Sequence, residues 1–276
     1  MWLMAAVATA ICFGTNNSIF KWSTTRHLSK VNIQFFFYLA AFIITMSYGT
    51  STHSFRPSIL SVIMGITIGI LNANGNIQMA RAFEKGPASL TSPLVAANAI
   101  FPVLAAGVIF HESIPLLHWI GIVCMLGSAV IIQYSPHKGT DTNYAPWIVR
   151  VALAIVSFGL LGILMKGSSY LHIHSLDVLV SMYGGGCAYL SAWLGREKVN
   201  VQEVATGATV GLLSVIGFSC YYFALTTGIA SIVFPVVSLN CLIVMLAGLY
   251  LFNERLKIYQ VFGIFAALLG LVMTKL

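Results

Sequence analysis

"GPASLTSPLVAAN", from Gly86 to Asn98, is the stretch that decides the fold, because it occurs a second time as "GIASIVFPVVSLN", from Gly228 to Asn240. Both stretches put a proline, hydroxyl side chains and an amide into an apolar segment, where polar groups carry a free-energy cost. A shift of 142 residues carries Gly86 onto Gly228 and also superposes the prolines and the asparagines. Apolar segments share Leu and Ala by chance, but rarely Pro, Asn and Gly in one register. We infer an internal repeat.

The repeat covers most of the chain. The same shift superposes further residues: Gly75 on Gly217, Phe110 on Phe252, Glu112 on Glu254, and Gly121 on Gly263. Near the start of each copy, a shift of 145 residues aligns "FGTNNSIFK", Phe13 to Lys21, with "FGLLGILMK", Phe158 to Lys166. We predict two five-helix units, at residues 1–138 and 144–276.

The composition is that of an integral membrane protein, since 58% of the residues are apolar, 8% are charged and the mean hydropathy is +0.91. The chain divides into about ten apolar runs of ~17 to 22 residues, each long enough to cross a hydrocarbon layer of ~30 Å. The connections are short, and no Gly-Lys-Ser/Thr phosphate loop occurs, which excludes an ATPase domain within this chain. We predict an all-α integral membrane fold with ten transmembrane helices.

The number of helices in each unit determines how the two copies are related. Five is odd, so the second copy enters the membrane from the opposite side, and the units form inverted repeats around a central cavity. Eleven of the 14 Lys and Arg residues fall after odd-numbered runs and three lie toward the other side. By the positive-inside rule, this bias predicts that both termini lie outside.

These motifs resemble a known family. "FGTNN", Phe13 to Asn17, is similar to a Trp-Gly-x-Asn signature in span 1, and "FHESIPLLHWIGIVCMLGSAVII" and "FNERLKIYQVFGIFAALLGLVM" are similar to a Gly-Glu-Arg-Leu segment that leads into the last span of each half. With the repeated Gly-x-Ala-Ser start and the mid-helix proline, they resemble the EamA-type half of the drug/metabolite transporter superfamily. Phe13 stands where Trp is usual, His111 and Asn253 stand where Gly is usual, and Arg255 occurs only in the second copy.

The resemblance covers essentially the whole chain and implies ten helices, a central cavity and alternating access. It also implies cytoplasmic termini, which is contrary to the charge count. It is specific for the superfamily and names no substrate. No organic cofactor and no metal site is expected.

Span 3 carries the richest polar cluster, in "GILNANGNIQMAR". At helical spacing, Asn72 and Asn76 share one face, whereas Asn74 and Gln78 share another about 200° away. Two polar faces cannot both contact lipid. We predict that one face lines the substrate pathway and that the other bonds to a neighbouring helix.

Other polar residues inside predicted spans are further pathway candidates: Asn16, Asn17, Asn98, Tyr183, Tyr222 and Asn240. An amide in hydrocarbon must bond across helices or contact the substrate, and the sequence leaves both interpretations open. A buried tyrosine offers its hydroxyl and ring to a ligand or simply packs.

Two further pairs follow from the repeat. Pro93 and Pro235 each remove a helical hydrogen bond and are predicted hinge points, with a static kink as the alternative. Lys21 and Lys166 either extend to the membrane interface or point inward as cationic gates or anchors. Gly65 and Gly69 predict close helix packing, and the run Gly184 to Gly186 predicts either packing or a flexible point.

All seven acidic residues fall in predicted loops or at span ends, and Glu112 and Glu254 are predicted to bond at helix termini. No carboxylate is evident inside a predicted span. This disfavours a cationic drug as the cargo, and it disfavours a carboxylate-coupled antiport as the mechanism. A neutral, zwitterionic or anionic metabolite is favoured.

We therefore predict a multi-pass secondary transporter of the plasma (inner) membrane that moves a small polar metabolite by alternating access. Its expected partners are the small-molecule substrate and the lipid bilayer, with no nucleic acid, and it is expected to be a monomer or a homodimer. The alternatives are a broad exporter of amino acids or xenobiotics, a channel, and a membrane-embedded enzyme. The enzyme is disfavoured because "HESIPLLH" lacks HExxH spacing and no GxSxG occurs.

Overall fold

The computed structural model describes residues 1–26, 28–85, 91, 94–95, 97–133, 144–192, 194, 199–251 and 258–273, and this part of the chain is α-helical without strands. The helices are α1 (Trp2–Thr25), α2 (Lys30–Ser51), α3 (Ile59–Lys85), a 3-10 helix (Ala97–Ala99), α4 (Ile100–Val108), α5 (Leu116–Gln133), α6 (Tyr144–Tyr170), α7 (Ser175–Ser191), α8 (Val201–Thr227), α9 (Ala230–Ser238), α10 (Asn240–Leu251) and α11 (Ile258–Met273).

Within the described part of the chain, six segments are long and apolar enough to cross a membrane: Trp2–Ser23, Lys30–Ser51, Ile59–Ala82, Ala145–Tyr170, Val201–Thr227 and Ala230–Gly248. Three shorter apolar helices accompany them: Ala97–Val108, Leu116–Ile132 and Ile258–Met273. Large apolar side chains such as Phe262 and Phe265 are exposed on the outer surface, as lipid contact requires. The predicted all-α, multi-pass membrane fold is confirmed, and the number of ten spans stays a prediction.

The helices pack mainly across the two halves of the sequence. Helix α3 lies along α6 and α7, and α8 lies along α1 and α2. Because α3 and α8 occupy equivalent places in the repeat, these two groups of three helices are counterparts. We call α3, α6 and α7 the first triple and α1, α2 and α8 the second triple.

Glycines permit the close packing of the first triple. A Cβ atom added to Gly65 would lie 2.7 Å from the carbonyl oxygen of Val178, and one added to Gly69 would overlap the carbonyl oxygen of Met182. The backbones of α3 and α7 therefore touch, as the Gly65 and Gly69 spacing predicts.

The second triple contains the same contact. A Cβ on Gly207 would lie 2.7 Å from the carbonyl oxygen of Ile33, and one on Gly211 would lie 2.8 Å from that of Phe37. The shift of 142 residues carries Gly65 onto Gly207, and the shift of 145 carries Ile33 onto Val178. The sequence repeat is thus a repeat of helix contacts.

The run Gly184 to Gly186 is a packing site. A Cβ on Gly184 would lie 3.1 Å from the ring of Phe42, and one on Gly185 would lie 2.7 Å from the Cα atom of Ile66. The third glycine of the run faces the Tyr38 ring. Each of the three glycines admits a neighbouring helix, so α7 is held between α2 and α3 at this point.

A buried carboxylate joins the N-termini of α2 and α8. Glu203 accepts hydrogen bonds from the backbone N–H of Ser29 at 2.7 Å, from Nδ2 of Asn32 at 2.9 Å and from the backbone N–H of Asn200 at 3.2 Å. Ser29 and Asn200 are the N-cap residues of the two helices. The carboxylate therefore satisfies helix N–H groups that have no partner within their own helices.

Replacing Glu203 by alanine is expected to lower the free energy of unfolding by about 1–3 kcal/mol, because buried donors lose their acceptor. Glu203→Gln keeps one acceptor oxygen and should lower the free energy of unfolding by less. Thermal unfolding of the two purified variants in detergent measures the difference. Equal melting temperatures for the alanine variant and the unmodified protein would contradict this assignment.

Candidate functional site

Two helical segments are interrupted at equivalent points of the repeat. In the first half, the 3-10 helix that begins at Ala97 precedes α4. In the second half, α9 ends at Ser238 and α10 begins at Asn240, with Leu239 between them. Ala97 and Leu239 are related by the repeat shift. An interrupted helix frees backbone groups that a continuous helix would use, and these groups need other partners.

Asn98 and Asn240 each supply such a partner. Nδ2 of Asn98 donates to the carbonyl oxygen of Val95 at 2.6 Å, and Nδ2 of Asn240 donates to that of Val237 at 3.0 Å. The two bonds are equivalent in the repeat, and they stabilise the interruptions. Oδ1 of Asn240 additionally accepts a hydrogen bond from Nδ2 of Asn17 at 3.4 Å, and the Asn17 side chain is exposed.

The proline of the second half lies within α9 and not at the interruption, which comes four residues later at Leu239. Since proline has no N–H, the carbonyl of Ser231 loses its helical bond. The hydroxyl of Ser231 is buried and has no hydrogen-bond partner among the described residues. The equivalent Pro93 lies outside the described residues, and the hinge roles stay predictions.

Asn16 is a buried polar residue of α1. Its side chain is buried, and its Oδ1 has no hydrogen-bond partner among the described residues. The neighbouring Phe13 packs on α8, with ring centroids 4.7 Å from Phe218 and 6.0 Å from Tyr221. A buried acceptor without a partner loses about 1–3 kcal/mol of hydration, which a ligand or a water molecule would restore.

The Asn74 face of α3 forms an interhelical network. Nδ2 of Asn74 donates to Oγ of Ser157 in α6 at 3.0 Å. Its Oδ1 accepts from Nε2 of Gln78 at 3.0 Å and from the hydroxyl of Tyr189 in α7 at 3.2 Å. This face bonds to neighbouring helices within the first triple. On the other polar face of α3, Asn72 is buried and Asn76 is half-buried.

Arg150 extends this network. It lies six residues after the start of α6, and its Nη1 donates to Oε1 of Gln78 at 2.7 Å. Arg150 is one of the eleven Lys and Arg residues that follow odd-numbered apolar runs, and the charge count treats it as a topology residue, so its contribution to the network was missed. The available signal was its position inside an apolar run, where a cation is expensive. Ser157 and Tyr189 carried no such signal.

The tyrosine candidates occupy the core with paired hydroxyls. The Tyr183 hydroxyl lies 3.2 Å from Oγ of Ser214, and the Tyr222 hydroxyl accepts from Oγ of Ser168 at 3.2 Å. The Tyr183 ring lies 6.1 Å from that of Tyr38, its equivalent in the repeat. Burial and aromatic contacts give both tyrosines a packing role at the centre.

Lys166 points inward and pairs with Glu112, which lies between α4 and α5. Nζ of Lys166 lies 3.0 Å from Oε1 of Glu112, and both side chains are largely buried. The same carboxylate accepts hydrogen bonds from the backbone N–H groups of Ala230 and Ser231, each at 3.0 Å, at the start of α9. Glu112 therefore bonds at a helix terminus, as predicted, but the helix belongs to the other half. Lys21 lies half-buried in α1, and Glu254, the equivalent of Glu112, lies outside the described residues.

The surroundings of Glu112 keep it ionised. Burial raises the pKa of its carboxyl, but the N–H groups of Ser231 and Ala230 and the Lys166 ammonium outweigh burial, so the pKa lies below its ordinary value. The carboxylate consequently stays negative at neutral pH and ties α6 to the N-terminus of α9.

Comparison with known proteins gives three findings. A comparison with curated proteins found no match. A solved crystal structure of a protein matches this fold with a TM-score of 0.83 at 10% sequence identity, covering 99% of this chain and 95% of its own chain. At that identity the likeness concerns the fold alone.

The third finding concerns the sequence. The model of the EamA-like transporter family matches residues 1–134 and again residues 145–276. The two matches fall on the two halves that the internal repeat defines, and together they cover nearly the whole chain. The protein therefore belongs to the EamA-like transporter family, whose members are membrane transporters of the drug/metabolite transporter type.

Proposed function

We propose that this protein is a secondary transporter that carries a small polar metabolite by alternating access, with its two five-helix halves arranged as inverted repeats. The observation that carries this proposal is the pair of equivalent helix interruptions, at Ala97–Ala99 and at Leu239. Inverted-repeat transporters place their substrate between discontinuous helices, because the half-helix ends and freed backbone groups bind it there.

The glycine contacts support two moving bodies. Within each triple, helices touch backbone to backbone, so they resist separation. Between the triples, α7 meets α2 through the rings of Phe42 and Tyr38, which are side chains and not backbone. Outside the triples, α9 is joined to α6 through Glu112 and Lys166 and also packs against α1. We propose that the two triples rock against each other and that the interrupted helices adjust between them.

We propose a neutral, zwitterionic or anionic substrate, since the groups near the interruptions are neutral amides, which offer no negative charge to a cationic substrate. The unpartnered amide oxygen of Asn16 would accept a hydrogen bond from the substrate, and the exposed Asn17 lies beside Asn240 at the second interruption. An exporter of amino acids or xenobiotics is the second candidate. The buried aromatic rings around Phe13 support it, since they would pack against an apolar substrate group.

The direct test is exchange in proteoliposomes. The purified protein is first screened for thermal stabilisation by a panel of neutral, zwitterionic and anionic metabolites. It is then reconstituted, and the stabilising compounds are assayed for saturable exchange. Saturable counterflow supports a carrier. Ion conductance without exchange would identify a channel and overturn the proposal.

Asn16→Ala separates a substrate contact from a structural role. Removing a buried amide whose oxygen has no partner among the described residues should leave the melting temperature unchanged or higher, while exchange falls roughly tenfold because one substrate hydrogen bond, about 1.4 kcal/mol, is lost. Thr15→Ala is the matched control on the same helix, since its hydroxyl bonds within the helix to the Ile11 carbonyl. If Asn16→Ala melted lower and exchanged normally, the amide would be structural.

A further inference from the structure

We propose that Arg150 binds an anionic group of the substrate and thereby selects carboxylate- or phosphate-bearing metabolites over neutral ones. This inference rests on the proposed transport function and names the substrate class that the same pathway takes.

Arg150 is a cation inside an apolar segment. It belongs to the membrane-spanning segment Ala145–Tyr170, in which Lys166 is the other charged residue. A cation in such a segment needs an anionic or strongly polar partner. Lys166 has Glu112, whereas among the described residues Arg150 donates to the neutral amide of Gln78. A guanidinium has five N–H donors, and Gln78 occupies one of them through a single 2.7 Å bond.

The guanidinium of Arg150 is held in one orientation. Gln78 is itself held by Asn74, and Asn74 is held by Ser157 and Tyr189. This chain of bonds fixes the amide oxygen that Arg150 contacts, so the arginine is oriented before any ligand arrives. Planar, bidentate recognition of a carboxylate or a phosphate is the interaction that such a fixed guanidinium performs best.

A row of polar side chains leads from Arg150 toward the interrupted helix. Arg150, Gln78, Asn74 and Ser157 form a polar ladder, and seven residues of α6 correspond to about 10 Å along the helix axis. The ladder ends beside Gly159, whose added Cβ would lie 3.0 Å from the Cβ of Phe101 at the start of α4. The ladder therefore leads from the N-terminal part of α6 to the level of the interruption.

The charges at this end have the right sign. Arg81, Glu84 and Lys85 lie near the end of α3, which packs along α6, so with Arg150 this end carries three basic residues and one acidic residue. Of the carboxylates whose side chains the structure describes, Glu112 is bonded to Lys166 and α9, Glu203 bonds at α2 and α8, and Asp177 accepts from the backbone of Arg56. A local excess of positive charge attracts anions to the Arg150 end of the pathway.

The experiment measures ligand selectivity on the purified full-length protein. Succinate, its neutral analogue succinamide, and inorganic phosphate are added at one concentration, with sodium chloride matching the ionic strength, and thermal unfolding is followed. We expect succinate or phosphate to raise the melting temperature and succinamide to leave it unchanged. The response to succinate and to phosphate distinguishes a carboxylate from a phosphate substrate.

The variants assign the selectivity to the arginine. Arg150→Gln should abolish the anion-dependent shift in melting temperature, and Arg150→Lys should retain part of it. Arg56→Gln, in the loop before α3, is the control and should behave like the unmodified protein. An anion shift that persists in Arg150→Gln would overturn the proposal, as would equal shifts with succinate and succinamide. A variant that melts lower but keeps the anion shift would make Arg150 structural.

The result is independent of the transport assay. Exchange of a neutral metabolite alone in proteoliposomes would contradict the role of Arg150 and leave the transport function standing. A lack of any exchange, with ion conductance in its place, would remove the transport function itself.

Discussion

Replacing Lys166 by methionine is expected to lower the free energy of unfolding by about 3–5 kcal/mol at neutral pH, because it leaves the Glu112 carboxylate buried without its cation. Methionine keeps most of the volume of the lysine stem, so packing changes little. The 3.0 Å pair and the low exposure of both side chains make the loss larger than that of a surface ion pair. Thermal unfolding in detergent at pH 7 measures the effect.

The pH dependence of the loss has a definite sign. In the unmodified protein the pKa of Glu112 is lowered, so its stabilising effect is complete above the ordinary carboxyl pKa and disappears as the pH falls through the lowered value. The difference between Lys166→Met and the unmodified protein should therefore shrink in acid.

The double variant Lys166→Met, Glu112→Gln is the control. It removes both charges and should recover part of the stability, because no unpaired carboxylate remains. A double variant that is no more stable than Lys166→Met would show that the pair does not carry the effect.

Replacing Gly69 by valine is expected to prevent the close contact between α3 and α7 and to abolish most of the folded protein. Its Cβ would overlap the carbonyl oxygen of Met182 and lie 2.9 Å from the backbone nitrogen of Gly186. Both atoms are backbone, so neither can turn away as a flexible side chain would. Overpacking costs about 1–3 kcal/mol for extra methylenes in a core, and a backbone clash costs more.

The yield of monodisperse protein and its melting temperature measure this loss. Gly127→Ala is the matched control, since no atom lies within 4 Å of its added Cβ and alanine favours the helix. Gly211→Val should repeat the effect of Gly69→Val in the second triple. If Gly69→Val melted like Gly127→Ala, the helices would be less tightly packed than their glycines indicate.

Local patterns in the sequence determined the fold class and the repeat. A membrane helix is recognised by a continuous apolar run, and such a run needs no knowledge of its neighbours. Pro235 and Asn240 identified the second copy because their types are rare in apolar helices. The two faces of α3 also followed from helical spacing alone, since that spacing places Asn74 and Gln78 together.

The bonding partners did not follow from the sequence. Arg150 lies 72 residues from Gln78 in the sequence. Glu112 lies 118 and 119 residues from the two residues whose backbone N–H groups donate to it. Helical periodicity places a residue on a face, but it leaves open which helix that face meets. For that reason Lys166 had two possible orientations, and Arg150 was interpreted as a topology residue.

By itself, the sequence determined that this protein is a helical membrane protein built from two copies of one unit, with polar groups at fixed depths. These properties depend on the composition and period of single segments. Only the tertiary structure decided that the helices interlock across the halves, that Lys166 meets Glu112, and that the chain is interrupted after Pro235 at Leu239. Those contacts depend on which helix each face meets, and the spacing of residues along one helix does not encode that.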